Sequence, residues 1–161
     1  MSAIPELEGG CACGAVRYRL ASQPMFVHCC HCLDCQRQTG TAFVLNMLIE
    51  TSRVELLEGT PVAVAVPRDE GQLHRIFRCP KCQVAVWSEY GGRSEALFVR
   101  AGTLDDPSQV WPDVHIYTGS KLPWITVPAS VPASVPAFEE YYDPATLWPP
   151  ESLARRKALF G

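Results

Sequence analysis

The stretch that decides the fold is Gly10-Cys-Ala-Cys-Gly-Ala-Val-Arg-Tyr18, in which two cysteines one residue apart stand between glycines. The sulfurs around a tetrahedral zinc, each about 2.3 Å from the metal, lie less than about 4 Å apart, whereas alternate residues of a flat strand are about 7 Å apart. Cys11 and Cys13 can therefore share a metal only if the chain bends between them. Gly9, Gly10 and Gly14 supply the backbone freedom that such a bend requires.

A second cysteine pair, Cys79-Pro-Lys-Cys82, has the spacing of a zinc knuckle, and its proline fixes the turn between the sulfurs. The two pairs together provide four thiolates, which is the ligand number of a closed structural zinc site. We predict that this zinc joins the N-terminal hairpin to a strand far along the chain. The predicted ligands are Cys11, Cys13, Cys79 and Cys82.

The segment Cys30-His-Cys-Leu-Asp-Cys35 supplies three more thiolates within six residues. Catalytic zinc sites typically have three protein ligands and an open position for water or substrate. We therefore predict a second, reactive zinc on Cys30, Cys32 and Cys35. An alternative stays open, in which the second zinc is purely structural and takes its fourth ligand from a neighbouring residue. The candidates for that ligand are His28, Cys29 and His31.

Two other uses of clustered cysteines fit the sequence less well. A thioredoxin-like redox pair belongs to a βαβ unit, and the residues around Cys79 and Cys82 do not have that pattern. The cysteine spacings match neither of the common iron–sulfur patterns, C-x2-C-x2-C and C-x4-C-x2-C. In a reducing compartment, grouped cysteines usually bind metal or perform redox chemistry. We therefore predict two zinc ions per chain.

The rest of the chain predicts a mainly β fold. Short runs of β-branched and aromatic residues recur at intervals of roughly 8 to 12 residues, as in a sandwich or barrel. Helix is expected only as one turn over Asp34–Thr39 and as a short C-terminal helix over Glu151–Phe160. The predicted strands are Val16–Leu20, Ala42–Ile49, Val54–Leu57, Val62–Val66, Leu73–Phe77, Val84–Glu89, Ala96–Ala101 and Val114–Tyr117.

Composition and charge limit the class of protein. The 161 residues are 47% hydrophobic and 19% charged with a net charge of −3, which is typical of a single soluble domain. The scattered basic residues argue against a nucleic-acid partner, and no run approaches the ~20 apolar residues of a membrane span. The N-terminus lacks the pattern of a secretion signal, so we expect a cytoplasmic protein. The Pro-rich segment over 124–136 is predicted to be an extended surface arm.

Several motifs, in order from Gly9 to Trp124, resemble the glutathione-dependent formaldehyde-activating enzyme (GFA) family. The resemblance implies an Mss4-like β-tent fold organised around zinc. We expect a single domain over residues 1–161, in which the Pro-rich arm and the terminal helix (125–161) pack on the rest of the chain. Gln83 departs from the family, in which glycine commonly follows the CPxC motif. The motifs are Gly10-Cys-Ala-Cys-Gly-Ala-Val-Arg-Tyr18, Cys30-His-Cys-Leu-Asp-Cys-Gln-Arg-Gln-Thr-Gly40, Phe77-Arg-Cys-Pro-Lys-Cys82, Ala101-Gly-Thr-Leu-Asp-Asp-Pro107 and Ser120-Lys-Leu-Pro-Trp124.

The family resemblance implies a zinc-dependent carbon–sulfur lyase, similar to S-(hydroxymethyl)glutathione synthase, that adds a thiolate to a small aldehyde such as formaldehyde or catalyses the reverse. It also implies that Cys11, Cys13, Cys79 and Cys82 are structural and that Cys30, Cys32 and Cys35 are catalytic. A zinc with three thiolates has a formal charge of −1, so it is a weak Lewis acid that suits activation of a fourth thiol. We expect that thiol to be glutathione or a similar small molecule.

Glutathione carries two carboxylates and one ammonium, so its site should offer fixed cations. Arg37 and Lys121 are the candidates for this role, with Arg100 as a further one. His31 is interpreted as a proton shuttle, a replacement ligand or a solvent-facing spectator, and His115 as a half-buried strand residue. Trp124 and Phe43 are assigned to the core, with a wall of the substrate site as the alternative.

A second function stays open from the sequence. In that alternative the chain is a non-catalytic, zinc-stabilised protein-binding module of the Mss4-like type, as in the related centromere protein V. Both zinc ions would then be structural, and four protein atoms would coordinate the middle one. A nucleic-acid-binding zinc ribbon fits the cysteine pairs but not the net charge of −3.

Overall fold

The computed structural model describes residues 6–68, 71–127 and 135–161. The chain divides into two compact units, of which the first comprises Met1–Pro24 and Met47–Gln109 and the second Met25–Asn46 and Val110–Gly161. Ten strands in two sheets and two α-helices lie within the described residues, which confirms the predicted mainly β class. None of the helices described has both the length and the apolar composition needed to cross a membrane.

The strands are β1 (Leu7–Gly10), β2 (Arg17–Leu20), β3 (Phe26–Cys30), β4 (Val44–Glu50), β5 (Val54–Glu58), β6 (Val62–Val66), β7 (His74–Arg78), β8 (Ala85–Tyr90), β9 (Ala96–Arg100) and β10 (Val114–Ile116). The helices are α1 (Leu33–Thr39) and α2 (Pro150–Phe160), and both were predicted to within one residue at each end.

In the first unit, β1 and β2 form an antiparallel hairpin, and β5 pairs with the other edge of β2. Residues of β2 alternate between buried and half-buried, so Tyr18 and Leu20 point into the core. Tyr18 contacts Trp87 edge-on, with ring centroids 5.8 Å apart, and its hydroxyl lies 2.7 Å from Thr103 Oγ1. Gly9 must be glycine, because a Cβ there would lie 2.4 Å from the Thr103 carbonyl oxygen.

The same unit contains the strands β9, β8, β7 and β6, which are neighbours in that order and pair antiparallel wherever their register is defined. Buried apolar residues on the central strands, such as Ile76, Val86 and Val99, form the core of this part. The connection between β7 and β8 carries Cys79 and Cys82, so the second cysteine pair lies in a hairpin turn, as the knuckle spacing predicts.

In the second unit, β3 runs parallel to β10, and every residue of β3 is buried. Phe26 stacks on Trp148, with ring centroids 5.0 Å apart. Helix α2 begins with Pro150 in its first turn, where a proline costs no hydrogen bond, and Ser152 Oγ of that helix donates to the Met25 carbonyl at 2.6 Å. The terminal helix therefore packs next to β3.

All eight predicted strands are present; Val62–Val66 has the predicted bounds, and the ends of the others differ by at most two residues. The strands β1 and β3 were not predicted. β1 ends in two glycines, which are uncommon in strands, and the cysteines and histidine of β3 were assigned to a metal motif, while its uniform burial removes the alternating pattern of a half-exposed strand. The predicted arm over 124–136 lies partly outside the described residues, which omit 128–134. The assignment of 1–161 to one domain stays a prediction.

Candidate metal centres

Four cysteine sulfurs meet within the first unit. Cys11, Cys13, Cys79 and Cys82 place their Sγ atoms within 4.8 Å of one another. The Cys11 and Cys13 sulfurs are 3.6 Å apart, and those of Cys13 and Cys79 are 3.7 Å apart. Tetrahedral zinc with bonds of about 2.3 Å has sulfurs separated by about 3.8 Å, so this cluster fits the ion without rearrangement.

Backbone amides point at these sulfurs. The Val16 N–H donates to Cys11 Sγ at 3.3 Å, and the Lys81 N–H donates to Cys79 Sγ at 3.4 Å. Burial raises the pKa of the Cys11 thiol, but the hydrogen bonds from Val16 and the neighbouring cysteines outweigh it and lower the pKa to about 6. Hydrogen bonds of this kind favour a thiolate, which is the form of cysteine that binds metal.

Two turns hold the cluster. The bend after β1 is closed by the Gly14 N–H, which donates to the Cys11 carbonyl at 3.2 Å, and Gly14 has a φ of 77°. The turn after β7 is closed by the Gln83 N–H on the Cys79 carbonyl at 2.9 Å, and Gln83 has a φ of 64°. This left-handed conformation is one that glycine adopts without steric cost, whereas the Cβ of Gln83 is strained there.

Three sulfurs meet in the second unit, where β3 ends and α1 begins. Cys30 is the last residue of β3, Cys32 is the N-cap of α1, and Cys35 lies in the first turn of the helix. Their Sγ atoms lie within 4.8 Å of one another. The Cys35 N–H donates to Cys32 Sγ at 3.3 Å, and α1 ends at Gly40, whose φ of 69° suits a left-handed helix end.

The thiols of this cluster have different pKa values. Hydrogen bonds with Cys30 and Cys35 lower the pKa of Cys32, and hydrogen bonds with Cys32 and Cys35 together with burial raise the pKa of Cys30. Three adjacent thiolates repel one another, and a divalent cation such as zinc compensates them. The donor set and its spacing therefore fit a metal ion with three sulfur ligands.

The three basic residues predicted to bind the carboxylates of glutathione differ in their exposure and contacts. Arg37 is exposed in the last turn of α1. Lys121 is half-buried, and its Nζ donates to the Ile125 carbonyl at 2.6 Å. The pKa of His31 is lowered to about 4, mainly by burial and further by the nearby charges of His115 and Lys121. Arg100 is buried in the first unit, at the end of β9.

Three of the other sequence interpretations are corrected or narrowed by the structure. Trp124 and Phe43 were assigned to the core, but 72% and 42% of their surfaces are exposed, because both lie in loops beside α1 and β10 rather than on a buried strand face. His31 is fully buried, so it does not face solvent. His115 is half-buried on β10, as the sequence predicts.

An open pocket of about 480 Å³ in the second unit was missed by the sequence interpretation. Burial raises the pKa of Tyr141, one of its lining residues. Gln36 of α1 reaches the same wall, since its Nε2 donates to the Ser120 carbonyl at 2.9 Å. The lining residues are Tyr117, Gly119, Ser120, Glu139, Glu140 and Tyr141.

A family model described as glutathione-dependent formaldehyde-activating enzyme matches residues 6–120, which is more than half of the chain. The chain therefore belongs to the GFA family. No curated protein matches it. Among solved structures, a similar chain is a Rhodobacter sphaeroides protein from a structural genomics programme, at 16% identity and a TM-score of 0.48, over 81% of this chain and 99% of that one.

Proposed function

We propose that the chain is a zinc-dependent carbon–sulfur lyase of the glutathione-dependent formaldehyde-activating type. The observation that carries the proposal is the division of seven cysteines into one cluster of four sulfurs and one of three. Four sulfur ligands fill a tetrahedral ion, whereas three leave one position for a substrate. We assign the closed cluster to structure and the cluster of Cys30, Cys32 and Cys35 to catalysis.

A zinc ion held by Cys30, Cys32 and Cys35 would supply an open coordination position and would lower the pKa of a thiol bound there. The protein's part is to hold the three sulfurs in place, which it does by fixing Cys30 on β3 and Cys32 and Cys35 on α1. In the addition, the S–H bond of the thiol and the π bond of the aldehyde carbonyl break and an S–C bond forms. The proton ends on the former carbonyl oxygen, which gives a hydroxymethyl thioether.

Residues of the second unit are proposed to bind and orient the substrate. Lys121 and Arg37 offer cations for the carboxylates of glutathione, and Lys121 is the better placed because its charge reaches His31, next to Cys30 and Cys32. Glu139 and Glu140 line the neighbouring pocket and offer carboxylates for the ammonium of the same molecule. None of the eight cysteines, all of which the structure describes, forms a disulfide, which suits a reducing compartment such as the cytoplasm.

The test measures thiol binding apart from turnover. Glutathione is titrated into the zinc-loaded protein by calorimetry in buffers of different ionisation enthalpy, which counts the protons released. We expect one proton per thiol bound, because the thiol must ionise to become a ligand. S-methylglutathione is the matched ligand control, since it keeps every charge but forms no thiolate. Cys32→Ala is the matched protein control, and it should bind no thiol with proton release.

The opposite result supports the non-catalytic alternative. If glutathione binds without proton release, or no small thiol binds, and X-ray absorption shows four protein ligands on the middle zinc, the enzyme assignment fails. The chain would then be a zinc-stabilised binding module. The exposed side chains of Leu33 and Trp124 in the second unit would be candidate contacts for its protein partner.

A further inference from the structure

A third group of metal-ligating side chains lies in the second unit, and neither of the two zinc assignments uses it. Cys29 is on β3, and His31 follows it by two residues, so both side chains point to the same face of the extended chain. The parallel pairing of β3 with β10 places His115 directly opposite Cys29. Strand register therefore brings one thiol and two imidazoles together on one face.

The distances between these atoms fit a single small ion. His31 Nε2 lies 3.0 Å from His115 Nδ1 and 3.6 Å from Cys29 Sγ, and all three atoms lie within 4.8 Å of one another. Around tetrahedral zinc with Zn–N bonds of about 2.0 Å and a Zn–S bond of about 2.3 Å, the corresponding separations are about 3.3 Å for two nitrogens and about 3.5 Å for nitrogen and sulfur. Small rotations of the two imidazoles would admit the ion.

This group is separate from the sulfurs of Cys30, Cys32 and Cys35. Cys30 follows Cys29 directly in β3, and neighbouring residues of a strand point to opposite faces. Cys29 and His31 are both buried, with 2% and 0% of their surfaces exposed, and His115 is half-buried. A buried imidazole needs partners for both ring nitrogens, and His31 Nδ1 has none among the described residues. The contacts of His31 are thus concentrated on Nε2, the nitrogen that faces His115 and Cys29.

We propose that Cys29, His31 and His115 form a third metal site, which takes a zinc-class transition-metal ion through one thiolate and two imidazoles. One sulfur and two nitrogens are ligands that Zn²⁺ and Cu²⁺ both accept. With Zn²⁺ the group has a formal charge of +1, in contrast to −1 for the three-thiolate group. The competing explanation is an ordinary hydrogen bond between two histidines beside an inert buried thiol.

The experiment counts metal in the full-length protein. The protein is stripped under reducing conditions, reloaded with excess Zn²⁺, desalted and analysed for zinc per chain. We expect three ions in the wild type and two in Cys29→Ser, which keeps the shape of the side chain but removes a soft ligand. Cys32→Ala should also hold two, and the double variant one. His28→Gln is the matched control, because His28 is a buried histidine outside the group, and it should hold three.

Reloading with Co²⁺, which does not oxidise thiolates, identifies the ligands of the third ion. The sulfur-to-cobalt charge-transfer absorption of Cys29→Ser should be weaker than that of the wild type by the contribution of one Co–S bond, and the same decrease should separate the double variant from Cys32→Ala. If Cys29→Ser does not fold, His115→Gln replaces it, with the same expected loss of one ion. Two zinc ions in the wild type, or three in both Cys29→Ser and His115→Gln, would overturn the proposal. Neither result bears on thiol binding at Cys32, so failure here is distinguishable from failure of the proposed enzyme.

Discussion

Removal of Cys79 should unfold the protein. In Cys79→Ala the closed cluster loses a fully buried ligand whose sulfur lies 3.7 Å from that of Cys13. Structural zinc contributes on the order of 10 to 16 kcal/mol in small peptides, and a whole domain is stable by only about 5 to 15 kcal/mol. Loss of half of the metal's contribution, about 5 to 8 kcal/mol, therefore equals the whole stability of a domain at the lower end of that range, and loss of all of it exceeds the stability of most domains. The sulfurs on the β1–β2 bend and the β7–β8 turn would also lose the ion that joins them.

Cys32→Ala provides the contrast. This change removes one of three ligands and the sulfur that accepts the Cys35 N–H at the start of α1. Loss of an N-cap acceptor costs about 1 kcal/mol, which a folded domain tolerates. We expect a folded protein with one zinc ion fewer and no thiol-dependent activity. Thermal unfolding and zinc analysis, run side by side on both variants and the wild type, measure the difference.

Two outcomes would refute this reasoning. A soluble Cys79→Ala protein with unchanged melting temperature and zinc content would show that the four-sulfur cluster is not structural. Equal loss of stability in Cys79→Ala and Cys32→Ala would show that the three-sulfur cluster is structural as well. In the second case the stability measurements would not distinguish the two clusters, and they would no longer support an open coordination position or the chemistry proposed for it.

Three further predictions concern other parts of the chain. Gln83→Gly should raise the free energy of unfolding by about 1 kcal/mol in denaturant titrations, because Gln83 has a φ of 64°, and Gln83→Ala should give no gain. Burial raises the pKa of Tyr18 from 10.0 to about 12, so the wild type should lose about 2 to 3 kcal/mol of stability as the pH rises from 10 to 12, since the unfolded chain ionises first. Tyr141 and Tyr142 also have raised pKa values, so Tyr18→Phe should keep part of the alkaline loss but lose about 2 kcal/mol less than the wild type, and it should be about 1 kcal/mol less stable at pH 7 through its missing contact with Thr103; an equal alkaline loss in both proteins would contradict this. Mild chelation should remove zinc from the three-sulfur cluster before the four-sulfur cluster, and glutathione should slow that first release in the wild type while S-methylglutathione does not.

The sequence predicted the two sulfur clusters because the cysteines within each motif are close in the chain and their spacing has a direct geometric meaning, and because two distant pairs together give the four ligands of a closed zinc site. Cys11 and Cys13 can share a metal only across a bend, and glycines flank them, so the neighbouring residues were enough to predict the bend. The sequence did not predict the contact between His31 and His115, because it depends on the parallel register of β3 and β10. The exposure of Trp124 was also missed, since an aromatic residue in a Pro-rich loop has no periodicity that indicates which way it faces.

Strand geometry also explains why the three-sulfur cluster keeps three ligands. Along Cys29–Cys32 the side chains alternate between two faces, so Cys30 and Cys32 belong to the three-sulfur cluster while Cys29 and His31 are directed to the other side. His31, the nearest nitrogen in sequence, is engaged through Nε2 with His115 and Cys29. The residues best placed in sequence to close the coordination sphere are thus committed elsewhere. An open position on the proposed zinc then follows from the register of β3 against β10, and a thiol substrate is the ligand that it suits.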